Sequence, residues 1–183
     1  MASNFIVGAN GEPVPTSDAG QLLVDTRTAA LYAAQNGDAY SVIGGADTSA
    51  GDADFFYLKN NDLRDLIIYK IRAYTTAADC GIAIKIGVTG SPDTGTTVTP
   101  VNVETNGPTA NVTCEQRAGD LALVGGTTVD WLFLDKDFVG EQCWDYESGI
   151  ILPVNTALIY NTDTDPNAVN IATQTFFFFA EPK

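Results

Sequence analysis

Three observations predict an all-β chain folded as an antiparallel β-sandwich. Phe, Tyr, Ile, Val and Thr are plentiful, and 17 Gly and 8 Pro punctuate them, a mix that suits short strands and turns. Apolar residues recur with a period of two over short runs, the signature of half-buried strands. Turn-forming clusters return at about ten-residue spacing, which gives roughly eight to ten strands. That strand count favours a jelly roll. The Cys…Trp…Cys framework of an immunoglobulin-like sandwich is missing. At 183 residues the chain can bury roughly 70% of its unfolded surface, so its core needs neither metal nor disulfide.

Residues 1–53 differ in composition from the rest of the chain. They are rich in Ala, Gly and small polar residues, and their apolar clusters are short: Phe5-Ile6-Val7, Leu22-Leu23-Val24, Leu31-Tyr32 and Tyr40-Ser41-Val42-Ile43. The clusters are too sparse to close a core, so the segment is predicted to be an extended arm and linker, with the sandwich domain spanning 54–183. Two local structures compete over 26–43. One is a short helix from Arg27 to Gln35 stopped by Asn36-Gly37; the other, favoured, is extended structure with Asn36-Gly37 as a hairpin turn. Residues 44–54, GGADTSAGDAD, read as a linker.

The stretch 65–90 carries the clearest strand signals. Leu66 to Tyr74 alternates on both phases, with Ile67, Tyr69, Ile71 and Ala73 on one face. Gly81 to Val88 repeats the pattern with Ile82, Ile84, Ile86 and Val88. The polar residues between them predict a hairpin whose apolar face requires a second sheet. Further along, the candidates weaken: Val98 to Glu104, demoted to an edge by Pro100, and Ala110 to Glu115. Asp120 to Val124 and Val129 to Leu134 read as two strands across Gly125-Gly126. Residues 135–149 read as a loop holding Trp144 and Tyr146. Short strands are expected at 150–152 and 156–161, and the longest at 169–180. There Phe176, Phe177, Phe178 and Phe179 make both faces apolar. One face must meet the core. The other is covered either by the N-terminal segment of the same chain or, the favoured reading, by a subunit or partner.

Charge and chemistry narrow the function. Nine Lys+Arg against 23 Asp+Glu give −14, which repels phosphate and anionic lipid, so neither nucleic acid nor a membrane is an expected partner. No apolar run approaches the ~18–20 residues of a membrane span, and the opening lacks the features of a secretory signal, so synthesis in a cytoplasm is expected. With no His, Ser-His-Asp and Cys-His catalysis and histidine-bearing zinc sites are excluded. Cys80, Cys114 and Cys143 have no metal-binding spacing and read as free thiols, with a single internal or an intersubunit disulfide as the alternative. Asp163, Asp165 and Asn167 open like a calcium loop, but Ala168 and Gln174 stand where the turn glycine and closing glutamate belong. The best carboxylate cluster is Asp130, Asp135, Asp137, Glu141, Asp145 and Glu147, interleaved with Trp131, Trp144 and Tyr146. It has the make-up of a sugar site, with Trp144 and Tyr146 as a candidate glycan platform, but acidic loops are more often solvated turns. No enzyme, cofactor or metal is expected.

Three pieces of the chain carry a family resemblance. The opening, from Asn4-Phe5-Ile6-Val7 through Pro13-Val14-Pro15 to Leu22-Leu23-Val24-Asp25, is similar to arms that lie along a capsid surface. The run Thr28 to Ser41 resembles a recurrent element of tailed-bacteriophage virion proteins. The Thr- and Gly-rich body, ending Ile151-Leu152-Pro153 and Phe176 to Glu181, resembles the β-sandwich of head decoration (cement) proteins and head fibres. The resemblance implies a structural virion protein on the capsid exterior, bound to the major capsid protein and commonly a homotrimer. Phe5, Ile6, Val7, Leu22, Leu23, Leu31 and Tyr32 are then the expected contacts with shell or neighbours, and Phe176 to Phe179 the residues of core and intersubunit packing. The alternative is a fibre or tail component, or a carbohydrate-binding module, that recognises a host glycan.

Overall fold

The computed structural model describes residues 28–48, 53–75, 79–92, 95–104, 106–117, 120–135, 137–138, 141–162 and 169–180. The elements in order are α1 (Ala29–Gln35), β1 (Ala39–Thr48), β2 (Asp54–Asn60), β3 (Leu66–Thr75), β4 (Cys80–Thr89), β5 (Thr96–Thr97), β6 (Val101–Asn102), β7 (Val112–Gln116), β8 (Val124–Leu134), β9 (Gln142–Leu152), β10 (Ala157–Thr162) and β11 (Val169–Phe179). They form two antiparallel sheets, β6-β1-β11-β3-β9 and β5-β7-β2-β10-β4-β8. The sheets face each other across one apolar core, so the chain is an all-β sandwich as its composition predicts.

The pairing obeys one rule. The first four strands meet the last four in reverse order: β1 with β11, β2 with β10, β3 with β9 and β4 with β8. Cross-pairings of β11 with β3 and of β10 with β4 join these ribbons into sheets. The expected hairpin over 65–90 is therefore replaced. Both of its strands form, but β3 lies in the five-stranded sheet and β4 in the six-stranded one. Each is flanked on both edges by other long strands, which a free-standing hairpin would not provide. Two further expectations change. Val124–Leu134 is one strand whose irregular start is absorbed by Gly125 and Gly126 at φ 77° and 89°, and the segment read as a loop from 135 to 149 is a strand from Gln142 onward.

Inward side chains from both sheets fill the core: Tyr40, Phe56, Leu58, Ile82, Ile84, Leu132, Tyr160 and Phe177 are all essentially solvent-free. On β3 the inward set is Leu66 and Ile68, then Ile71, Ala73 and Thr75. The phase switches at Tyr69, where the register against β11 and β9 slips. A bulge of this kind admits one extra residue and turns the next side chains to the opposite face. It accounts for the double-phase alternation of the β3 sequence. Polar contacts also run between the sheets; at the centre of the core the hydroxyls of Tyr160 on β10 and Thr175 on β11 lie 2.6 Å apart, tying one sheet to the other.

A helix forms over Ala29–Gln35, where the sequence favours extended structure. Thr28 caps it, its Oγ1 accepting from the Leu31 N–H at 3.2 Å. Asn36 and Gly37 end it, with Gly37 at φ 73°, the left-handed position that stops helices. Asn36-Gly37 thus acts as a C-cap and not as a hairpin turn. The sandwich also starts earlier than residue 54. β1 runs from Ala39 and pairs along its whole length with β11, so the glycines of the supposed linker at 44–45 lie inside a sheet. Residues 1–27, with Phe5, Ile6, Val7, Leu22 and Leu23, lie outside the described residues.

Candidate interaction surface

The four phenylalanines divide as alternation requires. Phe177 and Phe179 point into the core, and Phe178 points to the outer side of the five-stranded sheet. There α1 covers it: Ala30, Ala33 and Ala34 pack on Phe178, Ile67 and Tyr69. Of the two possible covers for this face, part is thus supplied by the chain itself. Phe176 lies beyond the helix and stays half-buried, tilted against Tyr69 at 6.2 Å between centroids and with the Arg72 guanidinium 5.3 Å above its ring. Beyond it the same face forms a shallow groove of ≈ 240 Å³ whose wall includes Ile43, Arg72, Tyr74 and Gln174. Leu31 and Tyr32 stand exposed on the helix.

The outer face of the six-stranded sheet is likewise half covered. Leu121 and Leu123 lie over Tyr57, Val88, Ala157 and Ile159. Asp54 pins this loop: its carboxylate accepts from Asn161 Nδ2 at 2.8 Å and from the Leu123 N–H at 3.3 Å. Burial pushes the Asp54 carboxyl above the usual carboxylate range, and the Asn161 bond partly offsets that. The cover stops short of β8. Trp131 and Phe133, 37% and 69% exposed, lie there with nearly parallel rings, 6.4 Å between centroids and 17° between planes. Their register partners on β4 are Ala83 and Gly81, which add no bulk beside the rings. Spacing along the chain puts Trp131 in an acidic cluster and gives Phe133 no role. The signal that finds both is alternation: Leu132 and Leu134 take the core, which leaves Trp131 and Phe133 on the opposite face.

The acidic cluster does not converge on a site. Asp145 pairs with Lys70 at 3.0 Å and Glu141 with Arg72 at 3.5 Å. Asp130 accepts from the Tyr146 hydroxyl at 2.6 Å. Burial, with the Asp130 contact adding to it, raises the Tyr146 phenol well above its ordinary value. Trp144 and Tyr146 are half-buried against the core, so neither is splayed outward as a glycan platform. Among the described residues no group of three or more His, Cys, Asp or Glu is placed to hold a metal ion, and no helix among them is long and apolar enough to cross a membrane. The calcium-like segment at 163–167 lies outside the described residues.

All three cysteines are free thiols. Burial pushes Cys80 up to about 11 and Cys114 up to about 12, so neither is a thiolate near neutrality. Cys143 is exposed on β9. Thiolate character and access set thiol reactivity, so an aromatic disulfide reagent is expected to titrate Cys143 alone in the native protein and to reach Cys80 and Cys114 only in denaturant. Rapid native reaction at Cys80 or Cys114 would show that β4 or β7 opens readily. An intersubunit disulfide, if formed, is expected to use Cys143.

Comparison with known protein families, curated proteins and solved structures finds no match for this chain.

Proposed function

We propose that the protein is a structural component of a bacteriophage virion, a decoration or cement protein that binds the outer surface of the head and braces neighbouring capsid subunits. The observation that carries this reading is the strand pairing. Eight long strands that pair first with last, second with seventh, third with sixth and fourth with fifth are a long antiparallel ribbon rolled into two sheets. This pairing supports a jelly-roll reading, an architecture used by viral capsid domains. The charge of −14 supports a place on the shell exterior, away from packaged nucleic acid. Exposed apolar side chains on separate faces, Leu31 and Tyr32 on α1 and Trp131 and Phe133 on β8, suit a protein that works by surface contact. A homotrimer is the assembly that the family resemblance implies.

The test is co-sedimentation with shells assembled from the capsid protein encoded alongside it. Saturable binding and a raised temperature of shell disruption are expected. A folded protein that stays in the supernatant at every concentration while binding an immobilised glycan would overturn the assignment in favour of a glycan-recognition module.

A further inference from the structure

We infer that the outer face of β4 and β8 is a self-association surface, on which a second copy of this chain packs face to face about a two-fold axis. The inference goes beyond the virion assignment and does not depend on it. It starts from charge. Copies of a chain at −14 repel one another, so contact is favoured where carboxylates are fewest. β4 has none. β8 has one, Asp130, and it is turned away to the Tyr146 hydroxyl. What that face presents instead is the exposed pair Trp131 and Phe133, uncovered by the loop that shields the rest of the sheet.

The free edge of β8 is already occupied beside the aromatic pair, which disfavours strand addition there and directs a partner onto the face. The Trp131 N–H is already taken by Asp130 Oδ1 at 2.8 Å. With its amide oriented to satisfy both neighbours, Gln142 donates to the Phe133 carbonyl at 2.8 Å and accepts from the Asp135 N–H at 2.8 Å. The register against β4 slips between Ile84 and Lys85. Occupied edge groups and a bulge are the devices by which sheets avoid edge-to-edge pairing.

Charge then selects the occupant. Lys85 sits on β4 opposite Thr128, to one side of the aromatic pair. Asp135 follows Phe133 by two residues, just past the end of β8 on the other side of the pair; it is exposed, and its Oδ1 accepts from the Asp137 N–H at 2.8 Å. A two-fold axis between Trp131 and Phe133 brings Lys85 of each copy over Asp135 of the other and sets the two aromatic pairs against each other. An isologous contact must be self-complementary in this way. Such a contact pairs protomers into dimers, and it pairs trimers into six-chain assemblies where a separate three-fold contact exists.

Light scattering after size exclusion on the full-length chain tests this. The native mass is expected to be an even multiple of 19.4 kDa, and Phe133→Glu, at a 69% exposed position, is expected to halve it without changing the melting temperature. Lys85→Glu and Asp135→Lys are each expected to weaken association at least about tenfold, since each sets like charges together in the contact. Combined, they are expected to restore it. An odd-multiple mass, an unchanged mass for Phe133→Glu, or no recovery in the double exchange would overturn the two-fold contact. So would a monomer whose Trp131 fluorescence responds to a soluble glycan, which would assign the face to sugar. Shell co-sedimentation reads the virion assignment separately.

Discussion

Replacing Phe177 by alanine is expected to cost ~3–5 kcal/mol, the usual range for truncating a buried aromatic residue. At this chain length that lowers the melting temperature by on the order of 10 °C. Phe177 is fully buried. It stacks on Tyr40, its register partner across the β1·β11 pair, at 5.5 Å and 22°, and meets Phe179 edge-on at 6.2 Å. Tyr40 and Phe179 also meet edge-on at 5.8 Å. Removing the middle ring unpacks all three and leaves a cavity bounded by β-strands, which relax little. Phe176, one residue earlier, has a half-exposed ring whose main partners are Tyr69 and the Arg72 guanidinium. Phe176→Ala is therefore expected to cost only ~1 kcal/mol. Thermal denaturation of both variants checks the pair. Equal costs would mean that the outer end of β11 is itself buried, against a neighbouring molecule. The contrast thus reads the packing of this strand and its exposure in solution together.

Why some of this fold is legible in the sequence and some is not comes down to which properties are local. Alternation is local, and it locates β3, β4 and β11 and predicts that both faces of the phenylalanine run need cover. Partner choice is not local. β3 and β4 look like a hairpin because a polar turn separates two apolar strands, yet each finds its neighbours at the far end of the chain. A bulge also erases the phase that alternation relies on, as at Tyr69. Composition misleads in the other direction at β9, where QCWDYESG has the acidic, small-residue content of a loop. Its tryptophan and tyrosine pack inward while Cys143, Asp145 and Glu147 face solvent, which is strand alternation carried by polar residues. At Asn36-Gly37 both local structures are chemically sound, since a left-handed glycine serves a helix C-cap and a hairpin turn alike. The helix wins because its alanines seal Phe178. The candidate surface is the least legible part. Nothing about Trp131 and Phe133 as residue types says that the covering loop ends one strand short of them.

Gly44 shows how a residue that reads as linker can be a packing requirement, and it gives the second large expected effect. It lies on β1 opposite Thr173 of β11, with its missing side chain directed at β2 of the other sheet. A Cβ there would sit 2.4 Å from Phe56 Cδ2 and 2.9 Å from Cε2. Phe56 cannot move aside freely. It is fully buried and stacks on Tyr160 at 5.0 Å and 26°, and the Tyr160 hydroxyl is held 2.6 Å from Thr175 on the opposite sheet. One added methyl therefore pushes through two rings to a contact that helps tie the sheets together. Gly44→Ala is expected to destabilise the fold by ~1–3 kcal/mol, the range for overpacking a filled core, although alanine suits a strand better than glycine does. Urea unfolding checks it, with a lowered midpoint and an unchanged slope, since the surface exposed on unfolding stays the same. The cause is isolated by shrinking the obstacle. In the background Phe56→Leu, Gly44→Ala is expected to lose most of its cost, a coupling within the ~0.5–3 kcal/mol seen for residues in contact. If Gly44→Ala costs as much in that background as in the wild type, the demand for glycine comes from the backbone of β1 and not from the ring. The close approach of the two sheets at this corner would then have to be held by something other than the fit of Phe56 over a bare Cα.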